Sequence, residues 1–346
     1  MKLGMFLRLS GAKPQLDMET VLEAERLGFD SVWTGEAYST DAVTPIAWVL
    51  ARTTKIKAGT SIMQIPARTP ACAAMTTMTL QALSGNRFLC GVGVSGPQVV
   101  EGWHGTRFGK PMPRTREYIE IIRKILAREA PLTFEGEEYQ IPYRGPDSTG
   151  LGRPLKSIMH ADPNVKFYTA AITPAGLRTA GEVADGTLPI WMSPEQPKTI
   201  TDAIVEGRRR AGKSESLADF DVAPYVRVRM GDDLQACRDS VRPDLALYIG
   251  GMGARSKNYY NDLTRRLGYE EAAVNIQNLY LAGSKKEAEA LVPDALIDEV
   301  CLVGSADRIR DRLSAWKQAA GDNQVGTMLL NGASVEAMRV VAEAIL

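Results

Sequence analysis

The chain has 346 residues, of which 45% are apolar and 24% are charged, and its formal net charge is zero. This composition is typical of a globular protein, and the balanced charge argues against partners such as nucleic acid or an anionic membrane. The longest uncharged run at the N-terminus, residues 3–7, is too short for a signal peptide or a membrane helix.

Cysteine and histidine are both scarce. The four cysteines are widely spaced, with no C-x-x-C pair, at Cys72, Cys90, Cys237 and Cys301. We expect buried reduced thiols, without a disulfide framework or a zinc site. Two histidines, His104 and His160, are too few for a His-rich metal site or for a mechanism that needs several imidazoles. The sequence therefore predicts a cytoplasmic protein without a bound metal.

Strand-like and helix-like segments alternate along the chain. Eight apolar runs predict strands at residues 2–9, 31–34, 55–62, 87–94, 166–172, 186–191, 220–230 and 325–332. A helical pattern follows each strand; Tyr118, Ile121, Ile122 and Ile125, for example, share one helical face. Strands that are connected by helices run parallel. Eight such units most often close into a (β/α)8 barrel, which we predict as a single domain over residues 1–346.

Two segments depart from this alternation. Residues 130–165 are rich in Pro and Gly and predict an excursion outside the core, with a small hairpin around "FEGEEYQI". A second excursion is expected at about 250–300. The rival architecture is an open doubly wound sheet, but no G-x-G-x-x-G opens a helix after the first strand.

Candidate site residues follow the strands, because the active site of such a barrel lies at the carboxyl ends of its strands. The run "GVGVSGP" (91–97) lets the backbone approach a flat ligand or phosphate, although a loop with unusual dihedrals would also need glycine. Gly and Thr in "TPAGL" and "ADGTLP" favour anion binding and, with that run, a phosphorylated cofactor. Apolar side chains near the strand ends are candidates to wall a ring system, with ordinary core packing as the alternative: Phe6, Met63, Trp103, Trp191, Met192 and Tyr225.

The segment "GVGVSGPQVVEGWHGTRFGKPMPRTREYIEIIR" resembles the luciferase-like monooxygenase superfamily, in its branch of coenzyme F420-dependent oxidoreductases similar to methylenetetrahydromethanopterin reductase. "EAERLGFDSVWTGEAYSTDAVTP", "KIKAGTSIMQIPARTP" and "AGEVADGTLPIWMSPE" agree with it. The resemblance implies a (β/α)8 barrel, a homodimer, and the deazaflavin coenzyme F420 at the carboxyl ends of the strands.

The resemblance also implies roles for particular residues. A non-prolyl cis peptide behind the central ring of the cofactor corresponds to Ser61-Ile62. The loop after the fourth strand is expected to contact the cofactor through Val94, Ser95, Gly96 and Pro97. The tail of the cofactor is expected to be held by Ala171, Thr173, Gly186 and Thr187.

Glu36 is the candidate catalytic residue. Many relatives carry an Asp-His pair after the second strand, where this chain has Glu36-Ala37, so the carboxylate is kept and the imidazole is missing. Glu36 is expected to act as the general acid or base, or to orient the cofactor ring. The alternative is that it caps the next turn or pairs with an arginine such as Arg8.

Three functions remain open from the sequence. The first is hydride transfer between coenzyme F420 and a small organic substrate. The second is an FMN-dependent monooxygenase supplied with reduced flavin by a partner reductase, and the third is a cofactor-binding protein without turnover. A substrate pocket near Phe6, Trp103, Trp191 and the insertion at residues 250–275 would suit an apolar or aromatic molecule.

Overall fold

The computed structural model describes residues 1–9 and 11–346, and eight parallel strands form its frame. All eight lie within the predicted apolar runs; β2 has the predicted bounds and the other seven are shorter. They are β1 (Lys2–Phe6), β2 (Ser31–Thr34), β3 (Lys57–Thr60), β4 (Phe88–Gly93), β5 (Phe167–Thr169), β6 (Gly186–Thr187), β7 (Tyr225–Met230) and β8 (Thr327–Asn331).

Parallel pairing closes these strands into a barrel. β1 lies between β2 and β8, and the order then runs from β2 through β3, β4 and β5 to β6. The ring closes at β7, because the preceding stretch Asp221–Val222 pairs with β6 while β7 itself pairs with β8. A single parallel β-bridge between Ile190 and Tyr225 extends the pairing between the segment after β6 and β7. The predicted (β/α)8 barrel is confirmed.

Eight main helices surround the barrel: α1 (Met18–Arg26), α2 (Val43–Arg52), α3 (Pro70–Ser84), α4 (Pro111–Ala127), α5 (Pro174–Val183), α6 (Lys198–Arg210), α7 (Ala306–Gly321) and α8 (Val335–Ile345). Several begin at a side-chain cap. Asp17 accepts a hydrogen bond from Thr20 N, and Thr173 accepts one from Gly176 N. Such caps satisfy backbone donors that the first helical turn leaves free.

The first excursion contains the expected hairpin, in which Phe134–Glu135 pairs antiparallel with Gln140–Ile141. The second, between β7 and α7, is built mainly from short helices: Leu234–Asp239, Arg242–Ala246, Tyr259–Arg266, Glu270–Leu281, Lys285–Ala290 and Asp294–Val300, with a π-helical turn at Leu247–Gly251. A strand that the sequence did not predict, Cys301–Gly304, pairs with β7. It has four residues and follows a helix directly, so no turn signal marks it.

Other short elements border the strand ends: a strand at Met63–Gln64 that pairs with β4, a 3₁₀ turn at Ile65–Ala67 and a helix at Pro97–Gly102. Across the described parts of the chain, every helix falls short of the length and apolar character that a membrane crossing requires.

The barrel interior is a separate apolar cluster. Its buried members are Trp33, Leu89, Tyr168, Leu188, Ala223 and Leu329, and the partly buried Phe6, Ile62 and Tyr225 pack against them. The larger core lies between the sheet and the surrounding helices. Phe6 ends β1 and contacts Tyr225 of β7, so this layer of the interior borders the carboxyl edge of the barrel.

The backbone after β3 lies unusually close to its neighbours. A Cβ at Gly91 would lie 1.8 Å from the carbonyl oxygen of Thr60, and one at Gly35 would lie 2.4 Å from that of Ser61. The Thr60 hydroxyl donates to Gly91 O at 2.7 Å and accepts from Gly91 N at 3.0 Å. Glycine at these two positions therefore lets the end of the third strand sit tightly between β2 and β4.

Candidate active site

A cavity of about 210 Å³ opens at the carboxyl edge of the barrel. The ends of several strands and the second excursion contribute to it. Its aromatic wall consists of Phe6, Trp191, Tyr225, Tyr248 and Tyr260, and its polar lining consists of Ser61, Arg227, Asp244 and Asn331. Sequence reasoning named Phe6, Trp191, Ser61 and Tyr225 and expected the 250–275 insertion to contribute, as Tyr260 does. It missed Asp244 and Tyr248, which precede that insertion.

Edge-to-face contacts hold the aromatic wall. The ring centroids of Phe6 and Tyr225 are 5.2 Å apart, and those of Tyr248 and Tyr260 are 4.8 Å apart. Trp191 contacts both of the latter rings at 5.9 and 5.8 Å. This geometry suits the ring quadrupoles and gives a stiff apolar surface. Burial raises the pKa of Tyr225, Tyr248 and Tyr260, so these phenols are protonated at neutral pH.

The Ser61-Ile62 peptide lies at the floor of this region. The bond is cis, as the resemblance implied. Ser61 lines the cavity, and its hydroxyl accepts a hydrogen bond from Tyr225. The Ile62 side chain occupies the space beside Gly93, where a Cβ would lie 2.8 Å from it. The end of the third strand is thereby tied across the barrel to β7.

Glu36 follows β2, and its carboxylate is fully engaged. Arg68 donates to it from both terminal nitrogens, at 2.5 and 3.1 Å. The backbone N–H groups of Ala42 and Gln64 add bonds of 2.9 and 2.7 Å. The side chain is 5% exposed. Arg8, the partner suggested from the sequence, lies 3.6 Å from Asp244 instead.

Desolvation lowers the pKa of Arg68, but the hydrogen bond and the attraction of Glu36 outweigh it, so that the pKa is raised overall. The two side chains therefore form a charged, bidentate pair in a largely dry environment. With four donors already bound, Glu36 is placed to hold the strand ends in position.

Gln64 extends this pair towards the fourth strand. Its side-chain nitrogen donates to Ala37 O at 2.7 Å, and its side-chain oxygen lies 3.3 Å from His104 Nε2. The segments after β2, β3 and β4 are thus joined by one hydrogen-bonded network. Sequence reasoning missed Arg68 and Gln64. The available signal was their position in the loop after β3, because neighbouring strand ends meet at one edge of a sheet.

The predicted cofactor loop, residues 94–97, connects β4 to the helix Pro97–Gly102 and is half-buried. Ser95 has a φ of 61°, in the left-handed region that non-glycine residues rarely adopt. Ala171 and Thr173 follow β5 and are also half-buried. Arg266, which the sequence did not single out, donates to Ile172 O at 2.5 Å and brings a positive charge to this segment.

Three predicted site residues lie apart from this group. Gly186 and Thr187 form β6 itself, and the register sets Gly186 beside Asp221, which bonds Lys2 at the amino end of β1. The Thr187 hydroxyl is committed to Thr169 O at 2.8 Å. This placement does not support a role in holding the cofactor tail, because the "ADG" turn precedes β6 instead of following it. Trp103 is 66% exposed and does not line the cavity.

A larger cavity, of about 450 Å³, lies at the opposite, amino end of the barrel. Its charged residues are largely paired with one another: Lys2 with Asp221 at 3.1 Å and Lys57 with Asp30 at 2.9 Å. In (β/α)8 barrels this end serves stability, and chemistry takes place at the carboxyl end. We therefore assign the smaller cavity as the candidate active site.

Comparison with known proteins agrees with this architecture. The family model of the luciferase-like monooxygenases matches residues 3–323. The chain belongs to the luciferase-like monooxygenase family. It is 42% identical, over 99% of its length and 98% of the relative's, to a Mycobacterium tuberculosis protein named "Putative coenzyme F420-dependent oxidoreductase".

Two solved structures of this luciferase-like fold cover nearly the whole chain. The coenzyme F420-dependent tetrahydromethanopterin reductase of Methanopyrus kandleri is 23% identical, with a TM-score of 0.78 over 99% of this chain and 98% of that one. An F420-dependent secondary alcohol dehydrogenase, solved with an F420-acetone adduct, is 19% identical, with a TM-score of 0.76 over 99% and 98%. At these identities the likeness establishes the fold.

Replacing Glu36 tests the buried pair. Glu36→Gln leaves Arg68 with only the more distant Asp41 carboxylate, at 3.8 Å, as a counter-charge, and we expect a loss of about 3 kcal/mol in the free energy of unfolding, measured by urea denaturation. Arg68→Gln should cost a similar amount, and the double variant should cost less than the sum of the two. Glu120→Gln, which breaks an exposed pair with Lys124, is the matched control and should cost about 0.5 kcal/mol or less. Additive effects of the two single variants would contradict the assigned pair.

Proposed function

We propose that the protein is an oxidoreductase that transfers a hydride between the deazaflavin coenzyme F420 and a small organic substrate. The observation that carries the proposal is the 42% identity, over 99% of the chain, to the M. tuberculosis relative named for this coenzyme. The cavity at the carboxyl edge supports it, because that is where a barrel of this kind performs chemistry. A cytoplasmic location, expected from the unpaired cysteines, is part of the same proposal.

The residues around the cavity fit such a group. Asn331 lines the cavity, and its buried Oδ1 has no hydrogen-bond partner among the described residues. A stiff aromatic wall suits a flat ring. For a phosphate-bearing tail, the start of α5 after Thr173 and the guanidinium of Arg266 supply positive charge at one place. When bound there, the coenzyme would supply or accept the hydride at carbon 5 of its ring.

The chain's own groups would then position the reactants and manage the proton. Tyr225 keeps its proton at neutral pH and donates a hydrogen bond to the Ser61 oxygen, so the hydrogen of the Ser61 hydroxyl is free to bond a substrate oxygen on which negative charge develops. The bond from Tyr225 fixes the position of the serine hydroxyl. Of the functional interpretations of Glu36, the geometry favours orientation of the site over proton transfer, because four donors already occupy its carboxylate.

Two other functions compete with this proposal. An FMN-dependent monooxygenase is favoured by the description of the matching family, and a cofactor-binding protein without turnover by the alanine at Ala37. Equilibrium titration of the purified protein with F420 and, separately, with FMN tests all three. Trp191 lies in the cavity wall, so its fluorescence should report binding.

We expect F420 to quench tryptophan fluorescence with a dissociation constant of about 1–10 μM, and FMN to have no effect in the same range. Tight binding of FMN without binding of F420 would replace the proposal by the monooxygenase. Binding of F420 with no hydride exchange for any tested alcohol or ketone would favour the protein without turnover.

We also propose that the protein is a homodimer. Apolar side chains lie exposed on adjacent helices α2 and α3, including Trp48, Met75 and Leu83, the last 82% exposed. The first excursion adds Ile158, 93% exposed, and lies against α3 through the contact of the Ser157 hydroxyl with Met78. Exposed apolar side chains grouped on neighbouring elements are typical of a protein interface, and a second copy would cover them.

A charge on this surface tests the dimer. The variant Leu83→Asp combined with Ile158→Asp should convert a dimer into a monomer in analytical ultracentrifugation, because two carboxylates would be buried without partners. Leu281→Asp places the same charge on a different, partly exposed helix and should leave the dimer intact. A wild-type monomer, or a double variant that remains dimeric, would contradict the proposed interface.

A further inference from the structure

One end of the active-site cavity carries an excess of positive charge. Arg227 lines the cavity and contacts Asp244 at 2.5 Å, and Arg8 approaches the same carboxylate at 3.6 Å. Arg229, on the same strand, donates to Gly332 O at 2.6 Å. Burial lowers the pKa of Arg229, and the nearby positive charges of Arg227 and Arg8 lower it further. Two guanidinium groups, Arg227 and Arg8, therefore share the Asp244 carboxylate, and the third, Arg229, bonds a backbone carbonyl nearby.

Arg227 faces the reacting region. It lies two residues beyond Tyr225 on β7, so both side chains project from the same face of the sheet. In the neighbouring β8, Asn331 is the register partner of Arg227, and its Oδ1 lacks a partner among the described residues. The guanidinium of Arg227, the side-chain amide of Asn331 and the protonated phenol of Tyr225 therefore lie around the same small cavity.

The cavity is small and mostly aromatic elsewhere. Its volume, about 210 Å³, lies below the roughly 300–1,000 Å³ of pockets for drug-sized ligands. Phe6, Trp191 and Tyr225 offer faces and edges to a ring or a short apolar chain. The segments predicted for the cofactor, residues 94–97 and 171–173, follow β4 and β5, away from β7 and β8. This separates the arginine from the expected cofactor tail.

We propose that the substrate is a small organic anion, whose carboxylate binds Arg227 while its apolar or aromatic body lies against Trp191, Tyr248 and Tyr260, which leaves the rings beside Ser61 to the coenzyme. That this anion is the substrate rests on the proposed oxidoreductase function. That the cavity binds an anion does not depend on that function. Arginine binds carboxylates through two parallel hydrogen bonds, which fixes the orientation of the bound molecule. Asp244 keeps the guanidinium in place and competes with the incoming anion for it.

Binding of two matched probes, sodium benzoate and benzamide, tests the charge preference without the coenzyme or turnover. The two molecules are nearly the same size and differ in charge. Measured by tryptophan fluorescence and calorimetry, benzoate should bind at least about tenfold more tightly than benzamide, and its affinity should fall as NaCl is added.

Variants of the charged side chains test whether Arg227 causes the preference for benzoate. Arg227→Gln should abolish the preference for benzoate, and Arg227→Lys should restore part of it. Asp244→Asn should strengthen benzoate binding, because a competing carboxylate is removed. Arg310→Gln, in a half-exposed pair on α7, is the matched control and should bind both probes as the wild type does. Circular dichroism melts of every variant establish that the chains compared are folded.

Several outcomes would overturn the proposal. These are equal affinity for the two probes, no benzoate binding at about 10 mM, undiminished benzoate binding by Arg227→Gln, or weaker binding by Asp244→Asn. Arg227→Gln should keep the wild-type affinity for F420; its loss would assign the arginine to the coenzyme instead. Failure of the wild type to bind F420 would refute the proposed function and leave the anion result intact.

Discussion

The buried carboxylate of Glu36 joins three segments that are distant in sequence and adjacent in the fold. It accepts bonds from the loop before α2, from the short strand after the cis peptide and from Arg68. Gln64, fixed by that contact, reaches His104 beyond the fourth strand. Because a buried charge without partners is costly, these four bonds and the position of the loops are mutually dependent. This arrangement fixes the position of the segment after β3, which forms the floor of the cavity.

Catalysis at such a site depends on side chains whose positions are fixed by their neighbours. The Ser61 and Tyr225 hydroxyls bind each other across the barrel, and the rings of Trp191, Tyr248 and Tyr260 contact one another at their edges. Because the protonated phenol of Tyr225 donates to the Ser61 oxygen, the Ser61 hydroxyl can donate to an oxygen on which negative charge appears. Positioning of this kind is what a protein contributes when a cofactor carries the hydride.

Much of the fold was readable from the sequence because each strand is an apolar run followed by an amphipathic helix. The ends of those runs placed Phe6 and Ser61 near one edge, and both line the cavity there. The strand Cys301–Gly304 was missed, since four residues after a helix carry no period of their own. Gly186 and Thr187 open their strand in both the prediction and the structure, so they lie away from the carboxyl edge at which the cofactor tail was expected.

The partners of Glu36 show a different limit. A carboxylate after β2 suggested an active group, and an ion pair with Arg8 was the alternative. The observed partner, Arg68, lies 32 residues from Glu36 in the sequence, and only the register of β2 and β3 brings the two together. Sequence pattern specifies which strand ends meet, but the choice among several nearby arginines depends on loop geometry that no short motif encodes.

The most direct measurement is a crystal structure of the protein with coenzyme F420 bound. The account predicts electron density for the ring at the carboxyl edge, within about 4 Å of Ser61 and of the Tyr225 hydroxyl, and density for the phosphate near Thr173 and Arg266. Density confined to the larger cavity at the amino end, or a ring that leaves the Ser61 region empty, would contradict it.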